Sequence, residues 1–165
     1  MKIIPPQPSD LIEIAYLQRV CFNEMKSKGW ISYPLFKEIS PDDLKHTFIL
    51  KFNNLTLGMI TMNDSAKEKG NVDHHCNGKH LSSSNPLYID NLTIHPNWWG
   101  KNVARELIEF AEEYARDHGF TSVQLNAYAE NKLAIKLFEQ LRFEQTGEFF
   151  SQIQTVPFYC YEKKL

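Results

Sequence analysis

Hydrophobic and polar positions along the chain change period several times, and each change marks an element. Lys2-Ile3-Ile4, stopped by Pro5-Pro6, reads as a short first strand. Ser9-Asp10 then precedes Leu11, Ile14, Ala15, Leu17 and Val20, which is helical spacing behind a capping residue, with Cys21 at its end. Residues 29–43 are turn-rich, with a second short helix expected around Leu35–Ile39. Two apolar runs, Thr47–Phe52 and Leu55–Met62, flank Asn53-Asn54 and predict a hairpin. Residues 63–86 are polar, carry Gly70, Gly78, Ser82–Ser84 and Pro86, and read as a long loop.

The second half alternates strand and helix. Leu87–His95 predicts a strand, and Gly100–His118 a helix with Val103, Leu107, Phe110, Ala111 and Tyr114 on one face. Gly119 stands where a left-handed cap is expected, and Arg116 and His118 suit the negative end of that helix. Thr121–Ala127 follows as a strand, then a helix from Ala129 or Glu130 to Leu141, then strands at Phe143–Phe150 and Val156–Lys163. A strand–helix–strand unit over residues 87–127 requires a parallel pair, and the hairpins require antiparallel neighbours. The fold class is therefore α/β: one domain over residues 1–165, a mostly antiparallel mixed sheet with helices on both faces.

Composition narrows the field without naming a function. The 165 residues are 42% hydrophobic and 23% charged, ordinary globular values that exclude a wholly disordered chain. A net charge of −2 gives no overall drive toward nucleic acid or anionic lipid. The N-terminus has no apolar h-region, and no apolar run approaches membrane-spanning length, so a soluble, cytoplasmic protein is expected. Cys21, Cys76 and Cys160 show neither a disulfide framework nor a metal clip, which fits a reducing compartment. Cys21 and Cys160 read as small buried residues. His74, His75, Cys76 and His80 are competent zinc ligands, but their spacing matches no closed site, so no metal is expected. Glu109, Glu112 and Glu113 read as a solvated helix face.

One strand carries a local irregularity. Leu87 and Ile89 are apolar at odd positions, whereas Leu92 and Ile94 are apolar at even ones. A half-buried strand accommodates both sets only with a one-residue slip, which predicts a bulge around Asp90-Asn91; a strand buried on both faces needs none. Behind it, His95 to Ala104 (HPNWWGKNVA) places Gly100 and Asn102, both tolerant of positive φ, at the start of an amphipathic helix. Such a turn aims free N–H groups and the positive helix end at one point, with Lys101 and Arg105 adding charge. An ordinary tight strand-to-helix turn has the same composition.

Strand, glycine turn, helix and strand, followed by Asn131-Lys132-Leu133-Ala134-Ile135-Lys136-Leu137-Phe138-Glu139-Gln140-Leu141-Arg142-Phe143, resemble the GNAT acyltransferase superfamily. That family carries Gln/Arg-x-x-Gly-x-Gly/Ala in the turn and a later Asn-x-x-Ala-x-x-x-Tyr-x-x-x-Gly-Phe. The resemblance implies an N-acetyltransferase using acetyl-coenzyme A, and no metal. Backbone groups of Leu92 and Ile94 would pair with the pantetheine arm between two splayed parallel strands. Gly100, Lys101, Asn102, Val103, Ala104 and Arg105 would hold the pyrophosphate, and Trp99, Asn131 and Phe138 would line the cofactor site. The implied reaction is direct attack by an amine in a ternary complex, with the Leu92 N–H stabilising the oxyanion and Asp90 as the candidate base.

Four positions depart from the family pattern. Trp99 replaces Gln or Arg, Asn102 the first motif glycine, Phe138 the tyrosine that protonates the thiolate, and Arg142 the last glycine. Tyr128, Tyr159 or a water would then serve as acid. A non-catalytic acyl-coenzyme A binding or sensing module is the alternative that Phe138 favours, and a toxin-like member acting on charged tRNA runs against the net charge. The expected partners are acetyl-coenzyme A and an amine acceptor, with a homodimer through the C-terminal strands as a further expectation. Trp98 and Trp99 would stack on adenine or pack internally. Phe149, Phe150 and Tyr159 would line the acceptor pocket or fill the sheet.

Overall fold

The computed structural model describes residues 1–31, 39–64, 85–150 and 157–165. Seven strands form one sheet in the order β1-β2-β3-β4-β5-β7-β6. They are β1 (Lys2–Ile4), β2 (Thr47–Phe52), β3 (Leu55–Asp64), β4 (Pro86–Ile94), β5 (Ser122–Tyr128), β6 (Glu144–Phe149) and β7 (Phe158–Lys164). The helices are α1 (Leu11–Ser27), α2 (Val103–Asp117) and α3 (Lys132–Gln140). Only β4 and β5 run parallel; every other neighbouring pair is antiparallel. The expected short helix at 35–39, the long loop and the His74–His80 cluster lie almost wholly outside the described residues.

Each face of the sheet has its own cover, and alternation along the strands decides which. In β2, Ile49 packs with Met59, Ile14 and Leu17 under α1, while Leu50 joins Ile60, Leu107 and Ile108 under α2. Phe138 of α3 meets Tyr161 of β7 edge-on at 5.5 Å, and Phe138 and Tyr161 belong to the same buried cluster as α2. Helix α1 thus covers one face, and α2 and α3 cover the other. The Asn53-Asn54 turn has φ of 48° and 65°, both left-handed, which is the geometry a two-residue hairpin turn requires.

Several boundaries and side chains differ from the sequence reading. Helix α1 continues one and a half turns beyond Cys21, because Phe22 extends the buried stripe and Ser27 and Lys28 close it. Helix α2 begins at Val103, since Gly100 and Asn102 are held at φ 72° and 65° and cannot enter a right-handed helix there. Glu112 is 5% exposed and not solvated: both its oxygens take hydrogen bonds of 2.7 Å from Lys163 Nζ. It borders the buried Leu107–Ala111–Ala115 stripe, which turns it toward β7. Cys160 is buried and disulfide-bonded, so it is not a free thiol; cysteine spacing alone carries no information about which distant residues a fold brings together. Cys21 is the free cysteine among the described residues.

Candidate active site

The irregular strand is bulged where its apolar phase slips. Thr61 of β3 faces Asn91 and Met62 faces Ile89, which leaves Asp90 as the extra residue of β4. The bulge also turns the strand away from its parallel neighbour. Pairing between β4 and β5 runs from Pro86–Ser122 to Ile89–Leu125 and goes no further. Beyond that point the two strands fork.

Backbone groups of β4 point into the fork. His95, directly opposite Leu57, donates its N–H to the Leu57 carbonyl at 2.9 Å. Antiparallel pairs alternate between bonded and non-bonded, so Ile94–Gly58 and Leu92–Ile60 are non-bonded pairs. The N–H and C=O of Leu92 and Ile94 therefore face away from β3. Those of Ile94 already have protein against them: Trp99 Nε1 donates to its carbonyl at 2.8 Å, and its N–H acts on the Cys21 thiol, lowering that thiol's pKa. Leu92 supplies the backbone groups that the fork presents without such a contact from Trp99 or Cys21.

A helix end opens on the same space. Gly100 and Asn102 in the left-handed conformation lead the chain into α2, whose first intrahelical bond runs from Glu106 N–H to Asn102 C=O at 3.0 Å. The N–H groups of Val103, Ala104 and Arg105 precede that bond, and the Asn102 side chain does not cap them. They form the positive end of a 15-residue helix. Arg105 reaches across to Gln140 of α3 at 3.5 Å and to Glu109 at 3.7 Å, while Lys101 Nζ lies 5.3 Å from the Trp98 ring.

Fork and helix end share one cleft of about 340 Å³. Leu92, Ile94, Trp99, Gly100, Asn102, Ala104, Arg105, Asn131 and Phe138 line it, all of them predicted cofactor residues. Of the predicted set, Lys101 and buried Val103 contribute from the turn without lining the walls. Asn131 caps α3, its Oδ1 accepting the Ala134 N–H at 3.1 Å. The sequence reading missed Cys21, Met25 and Trp30, which enter from the end of α1. Only a fold places that helix end beside β4; no local spacing announces it. Leu133 and Leu137 of α3 line the cleft as well. Because α1 and α3 lie on opposite faces of the sheet, the cleft passes through the fork from one face to the other.

The candidate catalytic side chains separate by face. Asp90 is exposed at the bulge. Tyr128 pairs with Phe158 across β5 and β7 and packs against it at 4.5 Å, on the face opposite α2. Tyr159 pairs with Ala127 and packs on the α2–α3 core, the face that carries Phe138. Phe138 is 4% exposed. Burial pushes the Cys21 thiol up to about 11, while the Ile94 N–H pulls it down. Burial, with Glu139 and Tyr159 beside it, also raises the Tyr161 phenol. Trp99 stacks on Trp30 at 5.4 Å, so its ring packs internally. Among the described residues no group of three metal-ligating side chains assembles, and no helix is long and apolar enough to cross a membrane.

Comparison with known proteins agrees with this geometry. The rat N-acetyltransferase family 8 member 2 is 29% identical over 72 residues, which is 44% of this chain and 32% of the relative. The chain thus spans about a third of the length of the curated relatives it matches. A GNAT family acetyltransferase from Listeria monocytogenes superposes with a TM-score of 0.73 at 15% identity, covering 99% of this chain and 94% of that one. Arabidopsis thaliana Naa50, solved with the bisubstrate analogue CoA-Ac-MVNAL, superposes with a TM-score of 0.69 at 15% identity over 99% and 97%. The model of the Acetyltransferase (GNAT) family matches residues 11–143, and the chain belongs to that family.

Proposed function

We propose that the protein transfers the acetyl group of acetyl-coenzyme A to a primary amine by direct attack in a ternary complex. The observation that carries this reading is the meeting, in one cleft, of a forked parallel pair and an uncapped helix N-terminus. The donor set fits the cosubstrate. Three N–H groups at Val103–Arg105 suit the pyrophosphate, and Lys101, Arg105 and Lys136 surround it with positive charge. Met25, Leu133, Leu137 and the indoles suit the pantetheine carbons, and the Leu92 backbone suits an amide of that arm. Acetyl-coenzyme A supplies an activated thioester. Of the neighbours sharing this fold, Naa50 was solved with an analogue named as coenzyme A joined to an acetylated peptide, which agrees with a two-substrate cleft.

In this reading the Leu92 N–H stabilises the oxyanion, a contribution of about 2.7–4 kcal/mol when such a donor is aimed correctly. Asp90 takes the amine's proton, directly or through water. The amine forms its bond to the carbonyl carbon, the carbon–sulfur bond breaks, and the thiolate collects a proton from Tyr159 or water. Tyr159 is preferred to Tyr128 because it shares the face of α3 and Phe138.

Thermal unfolding at fixed salt with and without acetyl-coenzyme A tests the reading. A ligand at 100 times its Kd stabilises by about 2.7 kcal/mol, or roughly 5–10 °C in a domain of this size. Release of free thiol on adding primary amines completes the test. No shift at millimolar acetyl-coenzyme A overturns the cleft assignment. A shift with no thiol release for any amine supports the second reading, a binding module without turnover. Phe138 favours that alternative, because a phenyl ring donates no proton. In that case Phe138→Tyr gains turnover, whereas an enzyme working by Tyr159 or water gains little.

A further inference from the structure

Position 99 is where the family pattern has Gln or Arg, side chains able to donate to a phosphate. Here it is Trp99, and its single side-chain donor turns back into the protein: Nε1 bonds the Ile94 carbonyl at 2.8 Å. That carbonyl faces the fork, so the indole N–H takes an acceptor that the pantetheine arm was expected to use. The Trp99 ring lies against Trp30 at 5.4 Å, with planes 22° apart. Trp30 is brought there by the end of α1, where Gly29 at φ 71° turns the chain and the Trp30 N–H donates to the Met25 carbonyl at 3.0 Å. Cys21 meets the Met25 sulfur at 3.9 Å, and all four side chains line the cleft. Leu133, on the same cleft, is 45% exposed, apolar surface that an occupant covers. Cations at the helix end already have protein against them: Lys101 lies over Trp98, and Arg105 over Gln140 and Glu109.

We propose that Trp99, backed by Trp30, is a specificity-determining residue for the donor: it shifts recognition from the nucleotide phosphates to the pantetheine arm, so that acetyl thioesters of pantetheine lacking the nucleotide also serve as donors. The inference rests on the acetyl-transfer reading and adds a donor class. Exchanging a polar or cationic side chain for an indole replaces a salt-screened contact with phosphate by apolar area along the arm. Removing the nucleotide then takes away contacts at the helix end and leaves those along the indole wall. The bonds made and broken are unchanged. The amine bonds to the thioester carbonyl carbon, the carbon–sulfur bond breaks, and pantetheine leaves as the thiol after its sulfur collects a proton.

The test measures thiol release from acetyl-coenzyme A and from S-acetylpantetheine, with a fixed primary amine, for wild type, Trp99→Phe and Trp99→Leu. Adenosine 3′,5′-bisphosphate, which has no arm, serves as an inhibitor competing with acetyl-coenzyme A. Wild type is expected to use S-acetylpantetheine with kcat/KM within a hundredfold of acetyl-coenzyme A. Trp99→Leu is expected to raise the KM of both donors at least tenfold, leaving the amine KM and the bisphosphate inhibition constant within twofold. Trp99→Phe, which keeps a ring against Trp30, is expected to stay within threefold of wild type for both donors. A larger gap between the donors in wild type overturns the donor class. Donor KM values raised less than tenfold in Trp99→Leu, or a weakening that extends to the bisphosphate or the amine, overturns the role of Trp99. A Trp99→Phe variant as impaired as Trp99→Leu overturns the indole wall, since the N–H rather than the ring then carries the effect. A wild type that releases thiol from neither donor fails at the underlying reading, and overturns both together.

Discussion

Gly58 sits in β3 directly opposite Ile94, on the face of the sheet that α2 covers. A Cβ placed on it would lie 2.7 Å from Ile94 Cδ1, 3.1 Å from Leu107 Cδ1 and 3.1 Å from the Thr93 carbonyl oxygen. Carbon atoms prefer separations of about 3.5–4.0 Å, so all three neighbours must move. The Ile94 methyl is the end of a side chain and can rotate, but Leu107 is fully buried and the Thr93 oxygen is backbone. Overpacking of this kind costs about 1–3 kcal/mol, and the lost chain entropy of Gly returns about 0.4–1 kcal/mol of it. Gly58→Ala should therefore lower stability by about 1–2 kcal/mol, a Tm drop of about 2–8 °C by calorimetry. Gly147 in β6 has no atom within 4 Å of its would-be Cβ, so Gly147→Ala should be neutral or slightly stabilising. The displaced atoms belong to the strand segment carrying Leu92 and Ile94, so only Gly58→Ala should raise the KM for acetyl-coenzyme A severalfold. A Gly58→Ala variant as stable as wild type would refute the packing argument.

Three further outcomes follow from single residues. Lys51 Nζ bonds Asp10 at 2.7 Å, lowering the Asp10 pKa and raising that of Lys51. This stability is complete above the ordinary carboxylate pKa, near 3.9, and is lost as pH falls through the folded value; the Lys51 share is lost as pH rises past about 10.4. Asp10→Asn should cost up to about 1 kcal/mol at pH 7, with the gap to wild type closing in urea melts as pH falls through the lowered Asp10 value; a gap independent of pH contradicts this. Exposed Arg142 is held at φ 65°, so Arg142→Gly should raise Tm by roughly 1–4 °C, and a fall would count against strain there. Buried Cys21, its thiol pushed up to about 11, should alkylate slowly with iodoacetamide at pH 7.5, and more slowly with acetyl-coenzyme A present. Peptide mass spectrometry reads this, and fast labelling indifferent to acetyl-coenzyme A contradicts it.

Much of the architecture was legible because period and punctuation agree. Asn53-Asn54 named its turn, and the phase slip between Ile89 and Leu92 pointed to a bulge around Asp90-Asn91, with a strand buried on both faces as the alternative, until the β3–β4 register singled out Asp90. The turn at Gly100 and Asn102 was visible from two residues that tolerate positive φ. What stayed hidden depends on tertiary contact. Glu112 looked like part of a solvated acidic face until Lys163 was brought beside it from 51 positions away. The role of Trp99 as a donor to Ile94 depends on a turn that folds its ring back by five residues. The arrival of Cys21, Met25 and Trp30 at the cleft follows from the crossing of α1 over β4, which no local pattern encodes.

All three tryptophans of the chain, Trp30, Trp98 and Trp99, line the cleft. Indole emission from this protein is therefore a local signal, blind to the far edges of the sheet. A denaturation curve followed by that emission tracks the separation of α1 from the turn at Trp99, while backbone circular dichroism averages over every strand and helix. Coincidence of the two curves is the usual argument for all-or-none unfolding. Here it carries a narrower meaning, that the cleft opens only when the whole sheet does. An emission change at lower denaturant would instead reveal a cleft that loosens ahead of global unfolding, in a domain otherwise intact.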